Sequence, residues 1–458
     1  MTLADALRLS APLALLALMA PVAFAVRKRV TVAALLTLGS LTLAAASVAI
    51  APDDASDRVL ALSLRLDPLG RLAAVSLLAV LGAIVVDVWL DQPAYNFFPI
   101  ALGCGAVVLA VMLLENALAT YAALLVGLLL PVGTFTFQIH SNRSVEAAIR
   151  HFAFVSLGGT IGLAALALAP TLPRDQPQTT FVLLLVVLYV AFALKLAVLP
   201  FHTHAALLAA EAPGSSLALY FGVLTPATVI AFARILEESG LLPQIVQLAK
   251  VQDLLLGMGA TSAIGGALLA TGAPDARRLV VYSVISSLGM ALVGIGTFSG
   301  PGIVGGIAIA IVTGASATQQ LLAAGALERA AGGGPPRAAR APLAAAAFVA
   351  GGIGLIGAPP VVAFPGRFFV ELMAYAFATW LGAALVVATV LLLFAQLRIA
   401  LALFAEGLPS WRPEARPVAG VIGLIIFAAL VVGGFAPDVF LRPIAAFAED
   451  FLRALRPL

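Results

Sequence analysis

The chain has 458 residues, 62% of them hydrophobic and only 10% charged, which is more apolar surface than a soluble core of this length encloses. A net charge of +3 with no basic stripe of interleaved aromatics argues against a nucleic-acid partner. The single cysteine, Cys104, cannot build a disulfide, a thiolate metal site or an iron–sulfur cluster within the chain.

A bilayer-spanning helix needs about 20 mostly apolar residues, and polar interruptions divide the chain into about fourteen such segments. They fall at 10–26, 30–51, 71–90, 96–114, 117–138, 150–170, 180–200, 214–236, 253–271, 279–297, 303–327, 341–378 (overlong and interrupted), 379–404 and 418–436. Alternating short amphipathic strands are absent, which disfavours a barrel. The expected fold class is all-α and polytopic, a single transmembrane domain over 1–458. The linkers, 51–69, 139–149, 171–179, 237–252, 328–342 and 405–417, are too short for an extramembrane domain.

Ala23-Phe24-Ala25 imitates a signal-peptidase site, but the basic cluster Arg27-Lys28-Arg29 follows the apolar run, so the segment reads as a retained first helix. Lys and Arg favour the odd-numbered connections, Arg277, Arg278, Arg337 and Arg340 among them, which places both termini outside. Trp89, Trp380 and Trp411 read as interface anchors.

Ionisable residues inside apolar segments are functional candidates, because insertion costs each roughly 2.5–3.5 kcal/mol. Asp87 is either such an acid or a residue near the membrane edge, four positions before Asp91. The densest stretch is Lys195 to Arg234, KLAVLPFHTHAALLAAEAPGSSLALYFGVLTPATVIAFAR. Lys195 lies five residues before Pro200 and reads either as a proton carrier beside a broken helix or as a side chain snorkelling to the interface. The free imidazole titrates near neutrality, so His202 and His204 serve either as relays or as anchors of the broken helix. They are no metal pair, since i and i+2 point to different faces of a helix and no third ligand is evident. Glu211 pairs with one of them or binds the helix after Pro213-Gly214. No phosphate-binding loop or dinucleotide fingerprint appears. No cofactor or metal is expected.

The run P-F-H-x-x-x-x-x-x-x-x-E-A-P at Pro200 to Pro213, preceded by Lys195 and followed by Gly222-Val223-Leu224 and Arg234, resembles the antiporter-like membrane subunits of respiratory complex I, of multisubunit cation/proton antiporters and of membrane-bound hydrogenases. Further stretches agree in order: Asp67-Pro68-Leu69 with Arg71, Glu146-Ala147-Ala148 with Arg150-His151-Phe152, Asp275-Ala276-Arg277-Arg278-Leu279 with Tyr282-Ser283, and Gly357-Ala358-Pro359-Pro360 with Phe364, Gly366 and Arg367. Together they cover about residues 65–370.

The resemblance implies two inverted five-helix repeats, 96–236 and 251–404, and a role in proton or cation translocation coupled to redox chemistry in partner subunits of a membrane arm. Its site residues are then Lys195, His202, Glu211, Arg367 and Glu371, with His204, Asp87 and Arg277 as secondary candidates. The departures matter equally. The family's glutamate in the fifth helix falls on Leu125, Val126 or Gly127, its lysine in the eighth on Pro226, and its lysine in the eleventh near Ala317 to Gln320. The lysine or glutamate of the twelfth helix is Arg367, effectively always protonated and placed to pair with Glu371 one turn on. Waters held by Thr225, Thr228, Thr313, Thr318, Gln319 and Gln320 would have to fill such gaps. Two other readings stay open: a degenerate structural subunit that braces the membrane arm, and an independent secondary transporter.

Overall fold

The computed structural model describes residues 3–52, 55–59, 62–91, 94–135, 142–172, 178–239, 241, 249–405 and 414–455. Helices α1 (Leu3–Ala25) and α2 (Val30–Ile50) lead into a short antiparallel hairpin, β1 (Ala55–Val59) and β2 (Leu62–Leu66), in which Asp57 lies opposite Leu64. Then come α3 (Pro68–Asp91), α4 (Phe97–Leu113), α5 (Ala117–Leu129), the single turn α6 (Val132–Phe135) and α7 (Asn142–Leu168). The span after α8 (Gln178–Leu196) stops and resumes as α9 (Thr203–Glu211). Next, α10 (Gly214–Leu217) runs through a π-helical turn (Ala218–Leu224) into α11 (Thr225–Glu238).

The second half holds α12 (Ala249–Thr271), α13 (Ala276–Gly296), α14 (Gly300–Ala331), α15 (Pro342–Ile356), α16 (Ala363–Phe377), α17 (Thr379–Leu403), α18 (Val418–Phe435) and α19 (Pro437–Ala454). Among the described residues eleven helices are long and apolar enough to cross a membrane, and Leu9–Ala25, Phe97–Leu113 and Pro342–Ile356 are shorter apolar helices.

Polar residues start the helices that buried apolar runs continue. Asn116 accepts from the Ala119 N–H at 2.9 Å, Asp275 from Arg278 at 2.8 Å and Ser299 from Gly302 at 3.2 Å, each relieving one orphan donor of a first turn. Both proline sites interrupt their spans as expected. Gly357, at φ 69°, ends α15 in the left-handed conformation that glycine adopts without penalty, and the two prolines after it cannot continue the helix. Pro226 explains the π turn, because it lacks an N–H to bond the carbonyl four residues back. The Thr225 N–H and hydroxyl both reach the Tyr220 carbonyl instead.

Two elements go beyond the sequence expectation. The linker 51–69 holds the β-hairpin, too short to show a periodicity but pinned where Leu64 bridges Leu114. The chain beyond 436 forms α19, an amphipathic helix whose Ile444, Phe447, Ala448 and Phe451 are buried against the bundle. The hairpin, the end of α11 and α19 line one cavity, so they share one end of the molecule; Asp91, Glu211, Arg277, Arg329 and Arg416 line a cavity together at the other.

Candidate functional site

The lysine sits in the last turn of α8, one residue before the helix ends at Leu196. Lys195 is 1% exposed, so it does not snorkel. Its Nζ lies 3.5 Å from the centre of the Tyr121 ring on α5 and has no hydrogen-bond partner among the described residues. The ring face gives an ammonium electrostatic relief without a counter-ion. The phenol is anchored by donating to the Gly158 carbonyl of α7 at 2.6 Å. Tyr220, in the π turn, donates to the Lys195 carbonyl at 2.8 Å, covering a backbone group that the end of α8 frees. Ser262 of α12 receives the Leu199 N–H at 3.1 Å. Ala197, two residues after the lysine, has φ 55°, a left-handed conformation that costs a residue with a Cβ roughly 1–2 kcal/mol.

Beside the break, His204 of α9 is fully buried and its Nδ1 donates to the Phe201 carbonyl at 3.0 Å. It stacks on Phe154, and its ring centre is 5.6 Å from that of His151 on α7. His151 is as deeply buried. Its Nε2 donates to the Leu128 carbonyl of α5 at 3.1 Å, and its ring meets Tyr220 edge-on at 4.7 Å. His202, half-buried, is the residue before α9 and makes no capping hydrogen bond. Glu211 ends α9 in a cavity of about 480 Å³ that it lines with Asp91, Ser144, Arg277, Glu328 and Arg329. Arg277 there donates to Glu328 at 2.9 Å and to the Ala212 carbonyl at 2.6 Å.

Asp87 is buried one turn deeper than Asp91, and its Oδ1 has no hydrogen-bond partner among the described residues. Asp91 itself is paired with Arg329 and, at 3.6 Å, with Arg416. At the hairpin end Arg234 bonds Asp67 at 2.5 Å, and Glu115 faces Arg65 at 3.9 Å.

In the second half the geometry is different. Arg367 is buried, but it is not paired with Glu371; among the described residues no ion pair joins them. Its guanidinium donates to the carbonyls of Leu355 and Ile356, the freed end of α15, and to the Met290 sulfur. Glu371 accepts from Thr389 at 2.8 Å instead. Gln320 and Gln396 exchange amide hydrogen bonds at 2.9 and 3.4 Å, and Gln396 also donates to Ser283. Gln319 donates to the Ala347 carbonyl, and Thr225 and Thr228 bond carbonyls of their own helix. Gln320, Gln396, Thr225 and Thr228 are thus held by protein partners, whereas Thr318 Oγ1 and Gln319 Oε1 are buried with no hydrogen-bond partner among the described residues.

Trp380 is exposed and Trp89 half-buried, while Trp411 lies outside the described residues. Sequence reasoning left His151, Tyr121 and Tyr220 without a role. His151 stood in a quoted motif, but only the tertiary fold brings α7 to α9.

Such a molecule, all-helical, polytopic, with two interrupted helices and an unpaired buried lysine beside one of them, is a membrane protein built to accommodate charge within the bilayer. The chain belongs to the family described as NADH:quinone oxidoreductase/Mrp antiporter, TM, which matches residues 102–392. It is 27% identical over 411 residues, 83% of both chains, to NADH-quinone oxidoreductase subunit 13 of Thermus thermophilus. To NADH-quinone oxidoreductase subunit N of Azorhizobium caulinodans it is 27% identical over 370 residues, 75% of this chain and 74% of the relative. The same fold occurs in the Mrp complex of Dietzia sp. DQ12-45-1b (TM-score 0.82, 19% identity, 99% of this chain and 100% of that one). It occurs also in respiratory complex I of Thermus thermophilus with bound NADH (TM-score 0.83, 21% identity, 97% and 100%), and in an archaeal membrane-bound sulfane sulfur reductase (TM-score 0.84, 17% identity, 99% and 100%).

Proposed function

We infer that this chain translocates protons, or another monovalent cation, across a bacterial or archaeal plasma membrane as one subunit of a larger assembly, with Lys195 as the group on which the path turns. The relatives name the kinds of assembly that suit it, an NADH-quinone oxidoreductase or an Mrp-type antiporter. Redox chemistry belongs to partner subunits. The observation that carries the reading is a fully buried lysine at the end of an interrupted helix, with an aromatic face but, among the described residues, no hydrogen-bonding carboxylate on its Nζ. A group so placed can exchange a proton with water or with a neighbouring acid or base that reaches it.

In this reading the chain counts fourteen spans and is two inverted repeats, 96–236 and 251–404, each with one interrupted helix. His202, His204 and Glu211 belong to the route to Lys195, and Asp87 is a further acid on the same side. Arg277 holds Glu328 in the cavity. Arg367 supplies a fixed positive field with Glu371 nearby, not a proton.

The second reading, a bracing subunit without pumping, draws on the Gln320–Gln396 amide pair and on Arg367 serving as a helix-end donor, since neither releases protons. Lys195 variants decide between the two in vesicles of the assembled complex. Lys195→Ala should abolish coupled uptake with assembly intact. Lys195→Arg should fail nearly as badly, because it keeps the charge and cannot release the proton. Full uptake in Lys195→Arg would sink the carrier reading and leave the bracing subunit ahead.

A further inference from the structure

Seven residues of α-helix advance about 10 Å and return to nearly the same face. On α7 this spacing runs from Ser144, which lines the Glu211 cavity, to His151, and again to Gly158, which lies against the Lys195 side chain. On α9 the same step joins His204 to Glu211. The two imidazoles therefore stand midway between the polar cavity and the lysine, facing each other from α7 and α9.

Each ring has spent one nitrogen on a backbone carbonyl, Nε2 of His151 on Leu128 and Nδ1 of His204 on Phe201. A carbonyl only accepts, so those nitrogens carry the hydrogens. Nδ1 of His151 and Nε2 of His204 are then bare lone pairs, both buried and both without a partner among the described residues. An unsatisfied buried acceptor is costly. These two, on rings whose centres are 5.6 Å apart, are open basic nitrogens lying between the cavity and the lysine.

We propose that His151 and His204 form a proton-loading pair, holding one proton at a time between the Glu211 cavity and Lys195; this rests on the reading of Lys195 as a carrier. A proton from the cavity forms an N–H bond at the bare nitrogen of either ring, and the ring becomes a cation. A second proton is refused by like charge at this separation in a buried setting. The proton then leaves the same nitrogen, because the other is fixed to its carbonyl, and passes through water to the neutral amine of Lys195, which becomes the ammonium over Tyr121. The other ionisable groups around the pair are His202 before α9, Tyr220 of the π turn, Glu211, and Arg277 of α13, the helix packed against α9. Phe135 and Phe154 close the remaining sides.

The test uses inverted membrane vesicles holding the complete assembly, with proton uptake followed by a pH-sensitive dye and energised by NADH or, separately, by a sodium gradient. His151→Gln keeps a donor for the Leu128 carbonyl and cannot titrate, so it should slow uptake on the order of tenfold or more. His204→Gln should do the same. In His151→Ala external imidazole should restore a measurable part of the rate, which a packing role would not allow. Uptake in His151→Gln within about twofold of wild type, with Lys195→Ala inactive, overturns the pair and leaves Lys195 in place. A loss in His151→Gln that imidazole does not relieve in His151→Ala also overturns it, as a structural effect. Full uptake in Lys195→Ala removes the carrier reading itself, and the pair with it.

Discussion

A buried ammonium without a carboxylate must find its relief in the neutral groups around it, and Tyr121 supplies most of that for Lys195. A desolvated cation–π contact is worth about 2 kcal/mol, comparable to the insertion cost of the charge. The phenol hydroxyl has another task, holding the ring through Gly158. The two functions separate by substitution. Tyr121→Phe should retain coupled uptake and lose about 1 kcal/mol of stability, the worth of one hydrogen bond. Tyr121→Leu should retain the fold and lose most uptake, because the ammonium then has no partner at all. Vesicle uptake and thermal unfolding of the purified assembly read the two effects; equal uptake in Phe and Leu variants would refute the assignment.

The two interrupted helices solve one problem with different residues. Where a span stops inside the bilayer its last carbonyls need donors. At α8 Tyr220 provides one from a neighbouring helix, which leaves Lys195 free; at α15 Arg367 provides several itself and is thereby committed. Arg367→Met should strand the Leu355 and Ile356 carbonyls, at about 1–3 kcal/mol each, and lower the unfolding midpoint of the assembly. Gly357→Val should also destabilise, by roughly 1–2 kcal/mol, since φ 69° is unfavourable with a Cβ. A midpoint unchanged in both variants would contradict this account of the break. Both interruptions were legible from proline and glycine. The hairpin and α19 were not, because a five-residue strand and a half-buried helix lack the long apolar run on which membrane segments are recognised.

Across the molecule the basic side chains are somewhat more numerous at the end opposite the hairpin. Arg277, Arg329, Arg340 and Arg416 line the two cavities around Asp91, at the end opposite the hairpin and α19. The positive-inside tendency makes that end cytoplasmic. The connection after Ala25 then faces the cytoplasm, and the segment joining α18 to α19 faces the other side. Reporter fusions after residue 29 and after residue 436 should therefore report opposite sides. The same side for both would refute the orientation and the even count of spans behind it.

The sequence by itself determined the bilayer as solvent, the apolar segments, the two breaks and the lysine, because all of these are local: a run of hydropathy, a proline, a charge where charge is costly. Its resemblance carried the family. What only the tertiary structure decided is which groups share a space. Lys195 could snorkel or stay until α5 laid Tyr121 against it. Arg367 had Glu371 one turn away, yet helix geometry turned its guanidinium onto the carbonyls across the break. Ser283, Gln320 and Gln396, 113 residues apart at the extremes, became one amide network, and His151 acquired a partner 53 positions away in the chain. Such pairings depend on how helices pack, and helix packing is set by surfaces that no window of the sequence contains.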